Sequence, residues 1–185
     1  MATSTIGFAV LGAGVIADHH AAAIKANADL GARLVAMGHY NPARFAAIQD
    51  RFGVPCMTET ELLARADVDV MCICTPSGQH PAQTIAAAEA GKHVLVEKPM
   101  ALTLADADAM LAACDKAGVK LGVCFQSRGR TLFQRIHAAI QAGDLGDLTL
   151  GIVTMPYYRP QSYYDQAAWR GTWEQEGGAV LINQS

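Results

Sequence analysis

Ile6-Gly7-Phe8-Ala9-Val10-Leu11-Gly12-Ala13-Gly14-Val15-Ile16-Ala17 is the stretch from which the fold of this chain is read. A short apolar run gives way to a glycine turn, and the turn opens a helical pattern from Val15 to Asn27. Gly12 suits a tight turn, Gly14 lets the backbone approach a ligand, and Ala17 keeps helix and strand close. A helix starting there offers unpaired N–H groups and its positive dipole end to a phosphate. The spacing Gly12-x-Gly14-x-x-Ala17 therefore predicts a dinucleotide pyrophosphate cradle built by Gly12, Gly14, Val15 and Ile16. The plainer alternative is a glycine turn that only packs.

Working outward, strand and helix patterns alternate. Arg33 to His39, Val54 to Met57, Val68 to Cys74, His93 to Val96 and Lys120 to Phe125 read as strands. Pro42 to Arg51, Glu59 to Arg65, Pro81 to Ala90 and Leu104 to Lys116 read as helices, the last two closed by Gly91 and Gly118. The strands are continuously apolar, which implies burial on both faces and an α/β fold with a doubly wound parallel sheet. This Rossmann-type unit is expected over residues 1–125. Residues 126–185 read differently, as the beginning of an α+β substrate and oligomerisation domain. They hold an amphipathic helix from Thr131 to Ala142, an alternating strand from Leu148 to Met155 and an irregular aromatic stretch from Pro156 to Trp173.

With 185 residues and 51% hydrophobic content, the chain can bury a substantial core. A net charge of −3, with no basic run, argues against nucleic acid as a partner. No apolar stretch approaches the roughly 18 residues of a membrane span, and the N-terminus lacks a signal-peptide pattern. Five cysteines without CxxC spacing read as free thiols in a reducing, cytoplasmic setting. His19 and His20 have no acidic partner at ligand spacing, so no metal site is expected.

The candidate site residues lie where strands end. An acid about 20 residues past the glycine turn usually binds the NAD ribose, but Gly38-His39-Tyr40-Asn41 contains none. A carboxylate there would repel a 2′-phosphate; His39 does not, and Arg44 follows one helical turn on. NADP is thus favoured over NAD, with NAD use through a His39–hydroxyl bond left open. In Thr75-Pro76-Ser77-Gly78-Gln79-His80, Pro76 stops a strand and the polar residues Thr75 and Ser77 open a helix. His80 has two readings, contact with the nicotinamide ribose or capping and bridging of the helix start. Glu97-Lys98-Pro99 puts charge at the carboxyl end of a buried strand, where open parallel sheets bind ligands.

Together GAGVIADHH, TPSGQH, VEKP and VCFQSR, in this order and spacing, resemble the glucose–fructose oxidoreductase, inositol dehydrogenase and rhizopine-catabolism (Gfo/Idh/MocA) family. Trp169 to Trp173 and Gly177 to Gln184 are similar to the entry segment of its second domain. The resemblance implies hydride transfer between NAD(P) and a CH–OH group of a sugar, cyclitol or similar polyol, in a homo-oligomer when full length. It implies that Lys98 bonds the ribose and the reacting hydroxyl as the catalytic residue, that Glu97 fixes the cofactor and orients Lys98, and that Pro99 holds a sharp turn, cis or trans. Gln126 then touches cofactor or domain interface. Trp169 and Arg170 either line the substrate site or pack as an aromatic loop, and Asn183 lies near substrate. The family's acid/base histidine is expected beyond Ser185, so the 185-residue chain alone is expected to be inactive. Two other readings stand beside this one: a dinucleotide-binding sensor without turnover, and a glycosidase that uses NAD transiently.

Overall fold

The structure, a computed structural model, describes residues 5–178. Its sheet is formed by β1 (Ile6–Leu11), β2 (Ala32–Gly38), β3 (Cys56–Met57), β4 (Val70–Ile73), β5 (His93–Glu97) and β6 (Leu121–Cys124). The strand order is β3-β2-β1-β4-β5-β6, and every pairing is parallel. Helices α1 (Val15–Ala26), α2 (Phe45–Phe52), α3 (Glu59–Leu63), α4 (His80–Glu89) and α5 (Leu104–Ala117) fill the crossovers. The expected doubly wound α/β fold is the observed one.

Side chains of successive strand residues point to opposite faces, and the core divides accordingly. Ala9 and Leu11 of β1 pack with Val35, Met71, Ile73, Val94 and Val96, beneath Ala87 of α4 and Met110 of α5. Val10 packs the other way, with Met37, Cys72 and Cys74, beneath Ala17 and Ile24 of α1 and Ile48 of α2. Each buried Val, Leu, Ile or Met among these contributes about 1.5–3 kcal/mol by leaving water. Gly7 is required by crowding: a Cβ there would lie 1.9 Å from the Asp67 carbonyl oxygen. Its N–H donates to the Asp69 carboxylate at 2.7 Å, tying the start of β1 to the approach of β4.

Past β6 come α6 (Thr131–Gln141), α7 (Gln161–Tyr164) and α8 (Trp173–Glu176). The strand expected from Leu148 to Met155 does not form. That segment forms no regular element and no strand pairing among the described residues, and Leu150, Ile152 and Val153 are exposed. A strand exists through its neighbour, and alternating sequence without an adjacent edge forms none. Leu132, Phe133, Ile136 and Ile140 of α6 are likewise exposed. No described helix is long and apolar enough to cross a membrane.

Candidate functional site

Six parallel strands end at one edge, and the order reverses between β1 and β4, which opens a crevice there. Gly12 enters it at φ +101°, and a Cβ would sit 2.6 Å from the Cys74 carbonyl oxygen. The turn is therefore pressed against the end of β4, and only glycine meets both the space and the dihedral. Its N–H donates to the Gly38 carbonyl at 2.9 Å. Gly14 is the opposite case. It is the N-cap of α1, no side chain caps that helix, and a Cβ would meet nothing within 4 Å. Val15 is exposed and Ile16 half-buried behind it. An uncapped helix N-terminus facing open space fits the pyrophosphate of a dinucleotide.

The β4–α4 loop brings Thr75, Pro76 and Ser77 to the same edge, Ser77 buried and the other two half-buried. The Thr75 hydroxyl bonds Gln83 of α4. Of its two readings, His80 shows the bridging of the helix start. Its ring is 1% exposed, with Nδ1 2.9 Å from the Pro99 carbonyl oxygen and Nε2 3.0 Å from that of Thr75. It joins the β4–α4 loop to the segment after β5. Burial pushes its pKa down, opposed by the two carbonyls and by Glu97. The Lys98–Pro99 peptide is cis and Pro99 is buried. On the far side of the loop, α8 packs on Ser77–Gln79, so closely that a Cβ on Gly78 would lie 2.6 Å from the Glu174 carbonyl oxygen.

Glu97 closes β5 with its carboxylate turned inward. Oε1 lies 2.8 Å from His20 Nε2, and Oε2 accepts the Lys98 backbone N–H at 3.2 Å. This corrects the expectation that His20 has no acidic partner; the partner comes from across the fold. Ala17, His20 and Ile24 are the buried residues of α1. That i, i+3, i+7 phase was the one sequence signal that His20 faces inward. Cys124, at the end of β6, places Sγ 4.0 Å from the same His20 nitrogen. Burial, and then Glu97, push its thiol up to about 11; burial takes Cys72 up to about 12 and raises Cys74 as well. The sequence reading missed Cys124 altogether.

At the end of β2, Tyr40 is exposed and stacks on His39 with ring centroids 4.6 Å apart. His39 Nδ1 lies 3.1 Å from the Asn41 backbone nitrogen and 3.3 Å from its carbonyl oxygen. Arg44 is exposed in the turn at the head of α2, after Asn41 accepts the Ala43 N–H. Gln126 is exposed just past β6. Trp169 and Arg170 are half-buried, and the guanidinium lies 4.9 Å from the Trp169 ring and 4.2 Å from that of Tyr163. Asn183 lies outside the described residues. A groove of about 460 Å³ lined by Asp18, Lys25, Arg33, Arg51 and Phe52 contains none of the expected site residues.

Two family models match the chain. One, described as an oxidoreductase family with an NAD-binding Rossmann fold, matches residues 6–125. The other, described as the GFO/IDH/MocA C-terminal domain, matches residues 133–185. The chain is 36% identical over 150 residues to inositol 2-dehydrogenase of Rhizobium meliloti (strain 1021), covering 81% of this chain and 45% of that protein. Among solved structures it resembles the WlbA dehydrogenase from Bordetella pertussis in complex with NADH and UDP-GlcNAcA. That likeness has a TM-score of 0.89 at 38% identity and covers 95% of this chain and 52% of the other. A putative myo-inositol dehydrogenase from Sinorhizobium meliloti 1021 aligns with a TM-score of 0.69 at 37% identity, over 77% of this chain and 43% of its own. The chain thus spans about half the length of the relatives it matches.

Proposed function

This chain belongs to the Gfo/Idh/MocA oxidoreductase family, and from that premise we propose that the whole protein transfers hydride between NAD(P) and a CH–OH group of a sugar or cyclitol. The observation that carries the reading is convergence at one sheet edge. The open N-terminus of α1, the Thr75–Ser77 loop and Glu97–Lys98 flank the crevice between β1 and β4 and its neighbour β5. Residues 1–125 form the dinucleotide-binding unit, and residues 126–185 begin the substrate unit.

Gly12, Gly14, Val15 and Ile16 present backbone N–H groups to the pyrophosphate. Thr75, Pro76 and Ser77 bound the nicotinamide half from the β4 side. When bound, the nicotinamide accepts or donates hydride at C4. Lys98 bonds the ribose and the substrate oxygen, and its positive charge stabilises the developing alkoxide. Glu97 fixes the lysine through the backbone N–H it accepts. Gln126 contacts cofactor at the next strand end. His39 and Arg44 favour NADP by offering donors and positive charge where an acid would repel a 2′-phosphate. Trp169, Arg170 and Asn183 are assigned to the substrate side. The full-length protein is a cytoplasmic homo-oligomer in this reading; five free thiols support the compartment, and the exposed apolar face of α6 supports association.

One observation favours a narrower substrate. The likeness to WlbA covers 95% of this chain, whereas that to the putative inositol dehydrogenase covers 77%. On this ground a nucleotide-linked sugar acid stands beside free cyclitols as the candidate. The test is steady-state turnover of the full-length protein with NAD and NADP against inositols and a uridine-diphosphate sugar acid. Net reduction of cofactor with one of them is expected. Tight cofactor binding without turnover on either class would favour a sensor instead, and product without net cofactor change a glycosidase.

A further inference from the structure

Three side chains from three elements meet beneath the Glu97–Lys98 peptide: His20 from α1, Glu97 from β5 and Cys124 from β6. Their ligand atoms, Nε2, a carboxylate oxygen and Sγ, all lie within 4.8 Å of one another. The histidine–carboxylate separation is 2.8 Å and the histidine–sulfur separation 4.0 Å. With bonds of about 2.0–2.3 Å, a tetrahedral zinc ion holds its donors roughly 3.3–3.6 Å apart. The observed spacings straddle that range, so small torsional shifts bring the three donors onto one ion. Nitrogen, oxygen and sulfur together suit zinc and exclude magnesium or calcium, which take oxygen alone. The side chains of His20 and Glu97 are only 9% and 13% exposed. A bound ion would therefore be largely withdrawn from water.

We propose that His20, Glu97 and Cys124 form a zinc-binding site whose occupation weakens dinucleotide binding at the adjoining crevice. The metal-binding half stands on the donor geometry alone. The inhibitory half rests on the cofactor reading above. Binding replaces the thiol proton of Cys124 with the ion and releases that proton to solvent. It also draws the Glu97 carboxylate away from the Lys98 N–H that it accepts at 3.2 Å. The segment that carries Lys98 loses that anchor, and positive charge is added beside the lysine. The empty form is the competent one.

The test uses the full-length protein stripped of metal with a chelator. Zinc is titrated against a chromophoric chelator, and cobalt is substituted to report thiolate ligation by its charge-transfer absorption. One zinc ion per chain at micromolar affinity is expected, with a thiolate band in the cobalt form. Cys124→Ser should abolish that band and lower zinc affinity by about tenfold or more, and His20→Gln should lower it similarly. X-ray absorption of the wild-type zinc form guards against misfolded variants, with one sulfur among nitrogen and oxygen donors expected. Affinity unchanged in Cys124→Ser, a sulfur-free coordination shell, or binding only at millimolar zinc would overturn the site. NADH or NADPH fluorescence titrations, with and without zinc, test the consequence. A dissociation constant raised about tenfold by zinc is expected in the wild type but not in Cys124→Ser. Zinc binding that leaves dinucleotide affinity unchanged overturns the inhibitory role. Absence of dinucleotide binding even in metal-free protein defeats the cofactor reading while leaving the zinc site standing.

Discussion

Alanine at Gly12 and alanine at Gly14 separate what the glycine turn does for the fold from what it does for a ligand. At Gly12 the new methyl meets two penalties. A residue with a side chain held at φ +101° costs about 1–2 kcal/mol. The Cβ also lands 2.6 Å from the Cys74 carbonyl oxygen and 2.8 Å from its carbon. Both are backbone atoms, and the Cys74 N–H is itself bound to the Leu11 carbonyl at 2.8 Å, so the strand end cannot rotate aside. Overpacking of this kind costs about 1–3 kcal/mol. The total is about 2–5 kcal/mol, which for a chain of this size lowers Tm by roughly 4–20 °C. At Gly14 the φ of −73° is ordinary and the space is open. Alanine as an N-cap costs about 0.5–1 kcal/mol, a Tm change of about 1–4 °C. Its methyl projects from the helix N-terminus into the place assigned to the pyrophosphate, so dinucleotide affinity should fall about tenfold or more, a loss of about 1.4 kcal/mol. Thermal unfolding by circular dichroism and cofactor fluorescence titration measure the two effects. The reasoning fails if Gly14→Ala binds dinucleotide like the wild type, or if it destabilises as much as Gly12→Ala.

Lys98→Met in the full-length enzyme should lower kcat about a thousandfold, with cofactor Kd changed less than about threefold; steady-state and binding titrations check this, and unchanged turnover removes Lys98 from the mechanism. His39→Asp should shift the NADPH/NADH affinity ratio toward NADH by about tenfold through repulsion of the 2′-phosphate, and an unaltered ratio refutes the assignment of that corner. His80 gives a pH signature. Because burial lowers its pKa in the fold, its contribution to stability is present above its unfolded value near 6.5 and is lost as pH falls from there toward the lowered folded value, with a slope of at most about 1.4 kcal/mol per pH unit. Chemical denaturation between pH 7.5 and 5 should show this slope reduced in His80→Gln, and identical slopes would contradict it.

The parts of the site legible in the sequence are those written within a few neighbouring residues. The glycine turn declares itself by spacing and by what flanks it, because strand, turn and helix are local. The apolar runs of β4 and β5 declare burial on two faces for the same reason. What escaped lies in partnerships between distant positions. His20 and Glu97 are 77 residues apart, and His20 and Cys124 are 104 apart. No periodicity links them; only closure of the parallel sheet brings α1, β5 and β6 to one place. The segment from Leu148 to Met155 failed the other way. Its alternation was real, but a strand is a property of two segments and the described residues supply only one.

The two histidines show how the backbone of Glu97-Lys98-Pro99 is held by residues distant in sequence. His20 grips the segment from the α1 face through the Glu97 carboxylate, at 2.8 Å. His80 grips it from the α4 side through the Pro99 carbonyl, at 2.9 Å. The backbone on either side of Lys98 is thereby held from opposite faces of the sheet. A lysine side chain carries about 2 kcal/mol of rotamer freedom, which a reaction must otherwise remove at each turnover. Fixing the point from which it departs narrows the space its ammonium searches, at no cost to its charge. These two histidine contacts reach the lysine's backbone through the fold, which is why their placement depends on the fold and not on neighbouring sequence.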